Sequence, residues 1–271
     1  KTGEFKNVMA YPQMEIGLAA RDLRYRFNWN GPLRVSIHNP NELYFASQYI
    51  HRSTDEGHSW QVISPDLSRN DKSKQDFAGE PITYENTGIE VYGNVLAFEE
   101  SPAAAGVFWA GSDDGLVHVT DDNGKTWRNV TPSAMPEWGS VNTIEASPHD
   151  AARAFISVLK YKLGDYRPYI FRTDDFGKSR TLLTSGSNGI SPDNPTRVVR
   201  EDPARKGLLY AGTEKGMYVS FDDGQNWRSL QLNLPIVPVT DLEIHDNDLV
   251  ASTQGRSFWI LDDLTVVHQV A

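Results

Sequence analysis

The sequence reads TDDNGKTW at positions 120–127, and three further stretches follow the same pattern. They are STDEGHSW at 53–60, TDDFGKSR at 173–180 and SFDDGQNW at 220–227. The shared pattern is Ser/Thr-x-Asp-x-Gly-x-x-Trp, with Arg180 in place of Trp once, and we name it the turn motif. Its return along one chain indicates a fold assembled from repeated units.

Each turn motif lies between two short apolar stretches, such as LVHV at 116–119 and RNV at 128–130. Two such stretches around a turn that contains Gly predict a β-hairpin. Gly adopts positive φ readily, the Asp carboxylate accepts bonds from turn N–H groups, and the Trp ring covers the hairpin. We therefore assign a structural role, not a catalytic one, to Asp55, Gly57, Trp60, Asp122, Gly124, Trp127, Asp175, Gly177, Asp222, Gly224 and Trp227.

The residues around the motifs repeat as well. A turn that contains Pro precedes a strand, and a Gly-rich turn such as AGSDDG at 110–115 leads to the strand before the motif. Four antiparallel strands per unit are typical of a propeller blade. The predicted units span about 33–64, 94–132, 140–184, 196–235 and 239–267. Residues 1–32 carry no motif; Phe5–Met9 is a predicted leading strand there and one candidate to complete a blade.

The turn motif resembles the Asp-box, or bacterial neuraminidase repeat, of sialidases, xyloglucanases, sortilin-type receptors and plant photosystem assembly factors. These proteins are β-propellers. The stretch VASTQGRSFWILDDL at 250–264 resembles part of large secreted bacterial proteins described as sortilin-like, glycosyl-hydrolase-like repeat proteins. The resemblance implies an all-β chain that forms a β-propeller, or a large segment of one, outside the cytoplasm (extracellular or periplasmic).

The composition of the chain limits the classes of ligand that it is expected to bind. The chain has 271 residues and a formal net charge of −10, which disfavours nucleic acid and anionic membrane surfaces as ligands. There is no apolar run long enough to span a bilayer, and no apolar segment after Lys1 that would predict a signal peptide. Cysteine is absent, so the redox compartment cannot be inferred.

Candidate acids lie on or near the strands expected to be innermost in each unit. Glycoside hydrolysis requires two converging carboxylates, and the candidates are Glu90, Glu99, Glu145 and Asp241. The alternative is that these acids are solvated residues of the channel lining. A cleft walled by Trp29, Trp138 or Tyr92 would favour the enzyme.

Ligand-binding candidates lie at the loops that precede the innermost strands and in one later loop. These candidates are Arg34, Asn94, Asn142, Arg197 and Arg256. Arg200 and Glu243 lie on innermost strands themselves. Arg256 has two open interpretations, a ligand contact at the channel or a contact that locks the ring. The arginines match no sialidase signature, and the scattered histidines and the lack of a phosphate-binding loop predict no metal and no cofactor.

Two functional hypotheses follow. The first is a non-catalytic binding or scaffold propeller that recognises a protein, peptide or glycan. The second is a glycoside hydrolase with paired carboxylates at the channel, and an assembly factor is a further alternative. Five units and one leading strand do not make a whole number of four-stranded blades, so these elements alone would not close a propeller. We therefore expect that the rest of a longer polypeptide, or a second chain, completes the propeller.

Overall fold

The computed structural model describes residues 3, 5, 7–13, 16–77 and 91–270. Within them, nineteen strands form five antiparallel sheets, each built from strands that are consecutive in sequence. The first two sheets contain β1 (Leu33–Val35), β2 (Leu43–Ala46), β3 (Ile50–Ser53) and β4 (Gln61–Val62), then β5 (Val95–Glu100), β6 (Phe108–Ser112), β7 (Val117–Thr120) and β8 (Arg128–Asn129). The next two contain β9 (Ser140–Ala146), β10 (Ala154–Lys160), β11 (Asp165–Thr173) and β12 (Thr181–Leu182), then β13 (Thr196–Glu201), β14 (Leu209–Thr213), β15 (Gly216–Ser220) and β16 (Arg228–Ser229). The fifth contains β17 (Val239–His245), β18 (Asp248–Thr253) and β19 (Phe258–Leu261).

Helical structure is sparse. Three 3-10 turns occur at Ala20–Asp22, Lys72–Lys74 and Tyr161–Leu163, and one α-helix, α1, spans Thr265–Gln269. None of the helices in the described part of the chain has the length and apolar character needed to cross a bilayer. The predicted all-β class is confirmed.

The sheets stack face to face through buried apolar clusters. One cluster joins the first and second sheets around Tyr44 and Phe98, and the next joins the second and third around Trp109 and Ile144. The remaining two join the third to the fourth sheet and the fourth to the fifth; they include Phe155, Leu209, Tyr210 and Leu242. Sheets that pack in succession in this way are the blades of a β-propeller.

Close approach of the blades depends on small residues in the second strand of a sheet. A Cβ atom on Gly111 would lie 2.2 Å from Cγ1 of Val141 in the next blade, and one on Gly212 would lie 2.8 Å from Cγ1 of Val239. The sequence pattern predicts a turn at Ala110–Ser112, but these residues belong to β6. Their small size serves packing between sheets.

The turn motifs form the hairpins between the third and fourth strands of their blades. In the second motif, Gly124 N–H donates to Thr120 Oγ1 (3.1 Å), which donates to Asp122 Oδ1 (2.8 Å). The same carboxylate accepts from the N–H of Thr126 at 2.9 Å, and the bonds from Thr126 lower the pKa of Asp122 to about 2. The corresponding bonds recur around Asp55, Asp175 and Asp222.

The fifth blade has three strands where the repeat predicts four. No turn motif follows its third strand, β19. After β19 the chain turns back onto the β17–β18 hairpin, because Asp263 N–H donates to Asp248 Oδ1 at 2.9 Å and Leu264 N–H donates to the carbonyl of Asn247 at 2.7 Å. The chain then enters α1, so no fourth strand among the described residues pairs with β19.

The N-terminal region packs against β2 of the first blade and leaves the apolar side chains of β1 exposed. Phe27 is buried and stacks on Phe45 of β2, with ring centroids 4.9 Å apart. In the predicted leading strand, Phe5 and Asn7–Met9 have no strand assignment, because no β-ladder partner lies beside them among the described residues. Lys6 lies outside the described residues.

The arc of blades is open among the described residues. Four apolar clusters join the five sheets, and none joins the fifth sheet to the first. Leu33 and Val35 of β1 are exposed, as are Phe258 and Ile260 of β19. Both ends of the arc therefore present apolar side chains to solvent.

Candidate functional site

A cavity of about 480 Å³ lies where the first strands of the five sheets meet, toward their carboxyl ends. The lining residues that the structure describes are Arg34, Ile37, Glu99, Glu100, Pro102, Glu145, Ala146, Pro148, Arg200, Glu201, Pro203, Asp241, Glu243 and Ile244. Among them, six carboxyl groups face two guanidinium groups. The cavity is therefore polar and acidic.

Five of these residues occupy one equivalent position, once in each blade. Each residue pairs with a residue of the second strand, and that residue pairs with one in the third strand. In the first four blades, the third-strand residue directly precedes the turn motif. The five residues, in blade order, are Arg34, Glu99, Glu145, Arg200 and Glu243. The repeat thus brings charged residues that are far apart in sequence to one side of the cavity, as an open ring of five positions that we call the ring.

Ion pairs join neighbouring blades across this ring. Arg34 Nη2 lies 2.8 Å from Glu99 Oε1. Arg200 contacts two carboxylates, with Nη1 at 3.0 Å from Glu145 Oε2 and Nη2 at 2.8 Å from Asp241 Oδ1. Asp241 directly follows a bulge in β17, and bulges at the corresponding places in β5 and β13 precede Ala97 and Val198, so the carboxylate at this position is particular to the fifth blade.

Among the acids of the cavity, Glu145 has a raised pKa. Burial raises its pKa to about 7, and the negative charge of Glu99 acts in the same direction, against the opposing effect of Arg200. Its Oε1 also accepts from the backbone N–H of Glu201 at 3.3 Å. A buried carboxyl group with such a raised pKa gains or loses its proton near neutral pH.

The other acids of the cavity differ in how they are held. Glu201 is buried and bonded to Arg153, Ser147 and the N–H of Gly207, so it serves the contact between the third and fourth blades. Glu100 accepts from the N–H of Ile37 at 3.0 Å. The side chain of Glu243 is exposed, and no hydrogen bond or ion pair joins its carboxyl group to another described residue. Glu243 is therefore the carboxylate best placed to meet a ligand.

Three candidates from the sequence lie away from the cavity. Asn94 is buried and donates to the carbonyl of Val91 and to Asp113 Oδ2, while Asn142 donates to the carbonyl of Arg197. The Arg197 side chain is paired with Glu214. The sequence predicts a ligand face at the amino ends of the innermost strands. The polar groups there are bonded to other groups of the protein, and the cavity lies toward the opposite ends of the strands.

The remaining candidates are also separate from the cavity. Arg256 is exposed on the loop between β18 and β19 and is not among the lining residues. Glu90 lies outside the described residues. Tyr92 and Trp138 precede β5 and β9, with ring centroids 6.1 Å apart, and Trp29 is exposed. No aromatic side chain is among the lining residues of the described chain.

The structure therefore brings together Arg34, Glu99, Glu145 and Asp241 and leaves the other candidates apart. Glu100 and Glu201 were missed by the sequence analysis, although both directly follow a ring residue and stand shortly before a Pro. In the second, third and fourth blades the ring residue stands three positions before a Pro, namely Pro102, Pro148 and Pro203, and this shared spacing is the signal in the sequence that points to the ring. The described residues contain no group of three or more His, Asp or Glu side chains arranged to hold a metal ion.

Comparison with known proteins supports the fold. No family model matches the chain, and no curated protein matches it. Among solved structures, the chain is similar to a GH74 xyloglucanase from Xanthomonas campestris, with a TM-score of 0.60 and 15% identity over 86% of this chain and 36% of that one. Little more than a third of the xyloglucanase is therefore spanned.

Two non-GH74 structures are also similar. The β-propeller domain of Cps50 (Swd1) from Myceliophteria thermophila has a TM-score of 0.60 and 12% identity over 88% of this chain and 66% of that one. YCF48 bound to D1 peptide has a TM-score of 0.52 and 15% identity, and the match covers 83% of this chain and 62% of YCF48. At these identities the similarity establishes the fold: the chain is a β-propeller segment.

Proposed function

We propose that this propeller is a non-catalytic binding or scaffold module, and that the cavity at the carboxyl ends of the innermost strands receives a basic group of a protein or peptide. The supporting observation is the ring of equivalent positions, in which three carboxylates and two arginines converge from five blades. Glu243 has no cationic partner among the described residues, so a basic side chain of a ligand would satisfy it.

Two further observations agree with this proposal. Sugar-binding clefts are commonly walled by aromatic rings, and the described cavity lining has none. YCF48, which shares the fold, was solved with a bound peptide. A peptide ligand is therefore the first class to test, ahead of a glycan.

The test is fluorescence anisotropy with a labelled nonapeptide that carries a central Arg, compared with the same peptide carrying Gln. We expect the Arg peptide to bind more tightly. Glu243→Gln should weaken its binding about 2- to 5-fold, as for loss of one exposed charge contact. The matched control is Glu137→Gln, an exposed acid away from the cavity, which should leave binding unchanged. Equal affinity for the two peptides would refute the proposal.

The pH dependence gives a second readout. Glu145 has a pKa of about 7, so lowering the pH from 8 to 6 adds a proton and removes negative charge from the cavity. Affinity for the Arg peptide should therefore fall over this range. Glu145→Gln should remove that step while leaving measurable binding at pH 8. A pH step that persists in the Glu145→Gln variant would assign it to another group.

A glycoside hydrolase is the second candidate, and one observation favours it. Glu145 and Asp241 both contact the guanidinium of Arg200, and the raised pKa of Glu145 suits a general acid. The test is release of reducing ends from xyloglucan and other β-glucans, with the double variant Glu145→Gln/Asp241→Asn as control. Activity that exceeds this control would replace the binding proposal.

The finer family assignment is also a proposal. We infer that the turn motifs are Asp-boxes, because all four share the bond from the Gly N–H to the Ser or Thr hydroxyl. The resemblance to secreted sortilin-like repeat proteins supports an extracellular or periplasmic location. Fractionation of the source cells, with detection of the chain by antibody, tests that location; recovery in the cytoplasm alone would reject it.

A further inference from the structure

The indole or guanidinium group that ends each turn motif bonds to the preceding part of the chain in the same way. Trp127 Nε1 donates to the carbonyl of Ile63 (2.9 Å), Arg180 Nε to that of Val130 (3.0 Å), and Trp227 Nε1 to that of Leu183 (3.1 Å). Each acceptor residue directly follows the outermost strand of the preceding blade, which is β4, β8 or β12. The bond therefore marks where a preceding blade ends.

The first turn motif makes the same bond, although no blade precedes it among the described residues. Trp60 Nε1 donates to the carbonyl of Val8 at 3.0 Å. Val8 thus stands in the place that Ile63, Val130 and Leu183 occupy at the other three motifs.

The glycines of the motifs give an independent second contact. A Cβ atom on Gly57 would lie 2.6 Å from Cβ of Val8, and one on Gly177 would lie 2.5 Å from Cβ of Val130. Gly124 and Gly224 approach Ile63 and Leu183 in the same manner. Val8 is therefore packed, as well as bonded, like the last residue of a blade.

Both ends of the arc expose groups that an adjacent blade would cover. At one end, β19 has a free edge among the described residues, and the side chains of Phe258 and Ile260 are 75% and 59% exposed. At the other end, Leu33 and Val35 of β1 are 53% and 56% exposed. Equivalent apolar faces at the four interfaces between blades are buried.

We propose that one or more further blades of the same type occupy the gap between β19 and the segment Phe5–Met9, and that they belong to the same polypeptide. The outermost strand of the last of them ends at Val8, and a strand of these blades pairs with the edge of β19. The source is the same polypeptide because, at each of the other three motifs, the acceptor residue is the direct continuation of the blade that it terminates.

The size of complete propellers agrees with this proposal. The chain matches the Swd1 β-propeller domain over 88% of its own length but over only 66% of that domain. The match thus spans about two thirds of a complete propeller domain, which leaves room for further blades. The exposed apolar ends also present an aggregation hazard that further blades would remove.

The test compares the polypeptide isolated from its source with the 271-residue chain produced alone. We expect a denatured mass above 30.4 kDa for the former. In hydrogen exchange, the amides of β19 should exchange at least about 100-fold more slowly in the isolated polypeptide than in the chain alone, because a paired strand opens only through local unfolding.

Three outcomes would overturn the proposal. A denatured mass of 30.4 kDa with a native mass of twice that value would assign the gap to a second copy. A monomeric 271-residue chain with slowly exchanging β19 amides would show that its own ends close the ring. A larger polypeptide in which β19 exchanges as fast as in the lone chain would show that the additional residues lie elsewhere.

A matched pair of variants tests the role of Val8 directly. Trp60→Phe and Trp127→Phe each remove one indole bond to a carbonyl and keep an aromatic ring. In the isolated polypeptide both should lower the midpoint of thermal unfolding by a similar amount, because both bonds join adjacent blades. If Trp60→Phe leaves the midpoint unchanged while Trp127→Phe lowers it, Val8 does not terminate a blade.

Discussion

The interface between the second and third blades differs sharply from the outer flank of the fifth, although both are built from the same kind of strand. At the interface Trp109 is fully buried, and Gly111 lets Val141 approach to a distance that no side chain would permit. At the flank, Phe258 and Ile260 project into solvent from a strand with one unpaired edge among the described residues. Stability in this protein therefore depends on contact between blades more than on the sheets themselves, and each blade needs a neighbour.

The largest expected loss of stability comes from removing a large side chain from the interface between the second and third blades. Trp109→Ala should lower the free energy of unfolding of the 271-residue chain by about 3–5 kcal/mol, because the cavity left behind cannot collapse fully. Phe258→Ala at the flank should change it by less than about 0.5 kcal/mol. Urea unfolding followed by tryptophan fluorescence and circular dichroism measures both. Equal losses would mean that the flank is covered in the lone chain.

A smaller loss is expected from the ionic part of the next interface. Arg153 is buried and contacts Glu201 at 3.1 Å and Asp174 at 2.7 Å, so its removal leaves the buried Glu201 carboxylate without a cation. Arg153→Ala should cost about 3 kcal/mol. The surface pair of Arg128 and Asp121 is the control, since Arg128→Ala should cost about 0–1 kcal/mol. A similar loss in the two variants would show that burial of the ion pair is unimportant.

The smallest of these losses concerns space between blades. Gly111→Ala should cost about 1–3 kcal/mol, because the added methyl group meets Val141 and forces the blades apart. Gly164→Ala is the control: its added methyl group meets open space, and only the left-handed backbone at φ 80° is strained, at about 1 kcal/mol. Thermal unfolding of the two variants side by side distinguishes them. A loss for Gly111→Ala no greater than that of the control would contradict the packing argument.

The repeated features of the fold were predictable from local sequence. Gly124 and Asp122 specify a turn through backbone freedom and hydrogen bonding, both of which act over a few residues. The missing fourth strand of the fifth blade was not predictable, because it depends on the bonds by which Asp263 and Leu264 turn the chain back onto an earlier hairpin.

The candidate site was predictable only in part. Glu99 and Glu145 were found because they stand at matching places before a Pro. Glu201 was missed because its role depends on Arg153, which lies 48 residues away in the sequence. Asn94 was misplaced because its burial beside Asp113 results from tertiary packing, which local pattern does not encode.

The order of charges at the five equivalent positions has a geometric consequence. In blade order the residues are Arg34, Glu99, Glu145, Arg200 and Glu243, so the signs do not repeat when the ring is turned by one blade. The backbone is nearly the same at every step, and the charges alone distinguish one rotational setting from the next. A charged ligand that docks along the axis would therefore find one azimuth preferred, even though the scaffold that holds it is pseudo-symmetric.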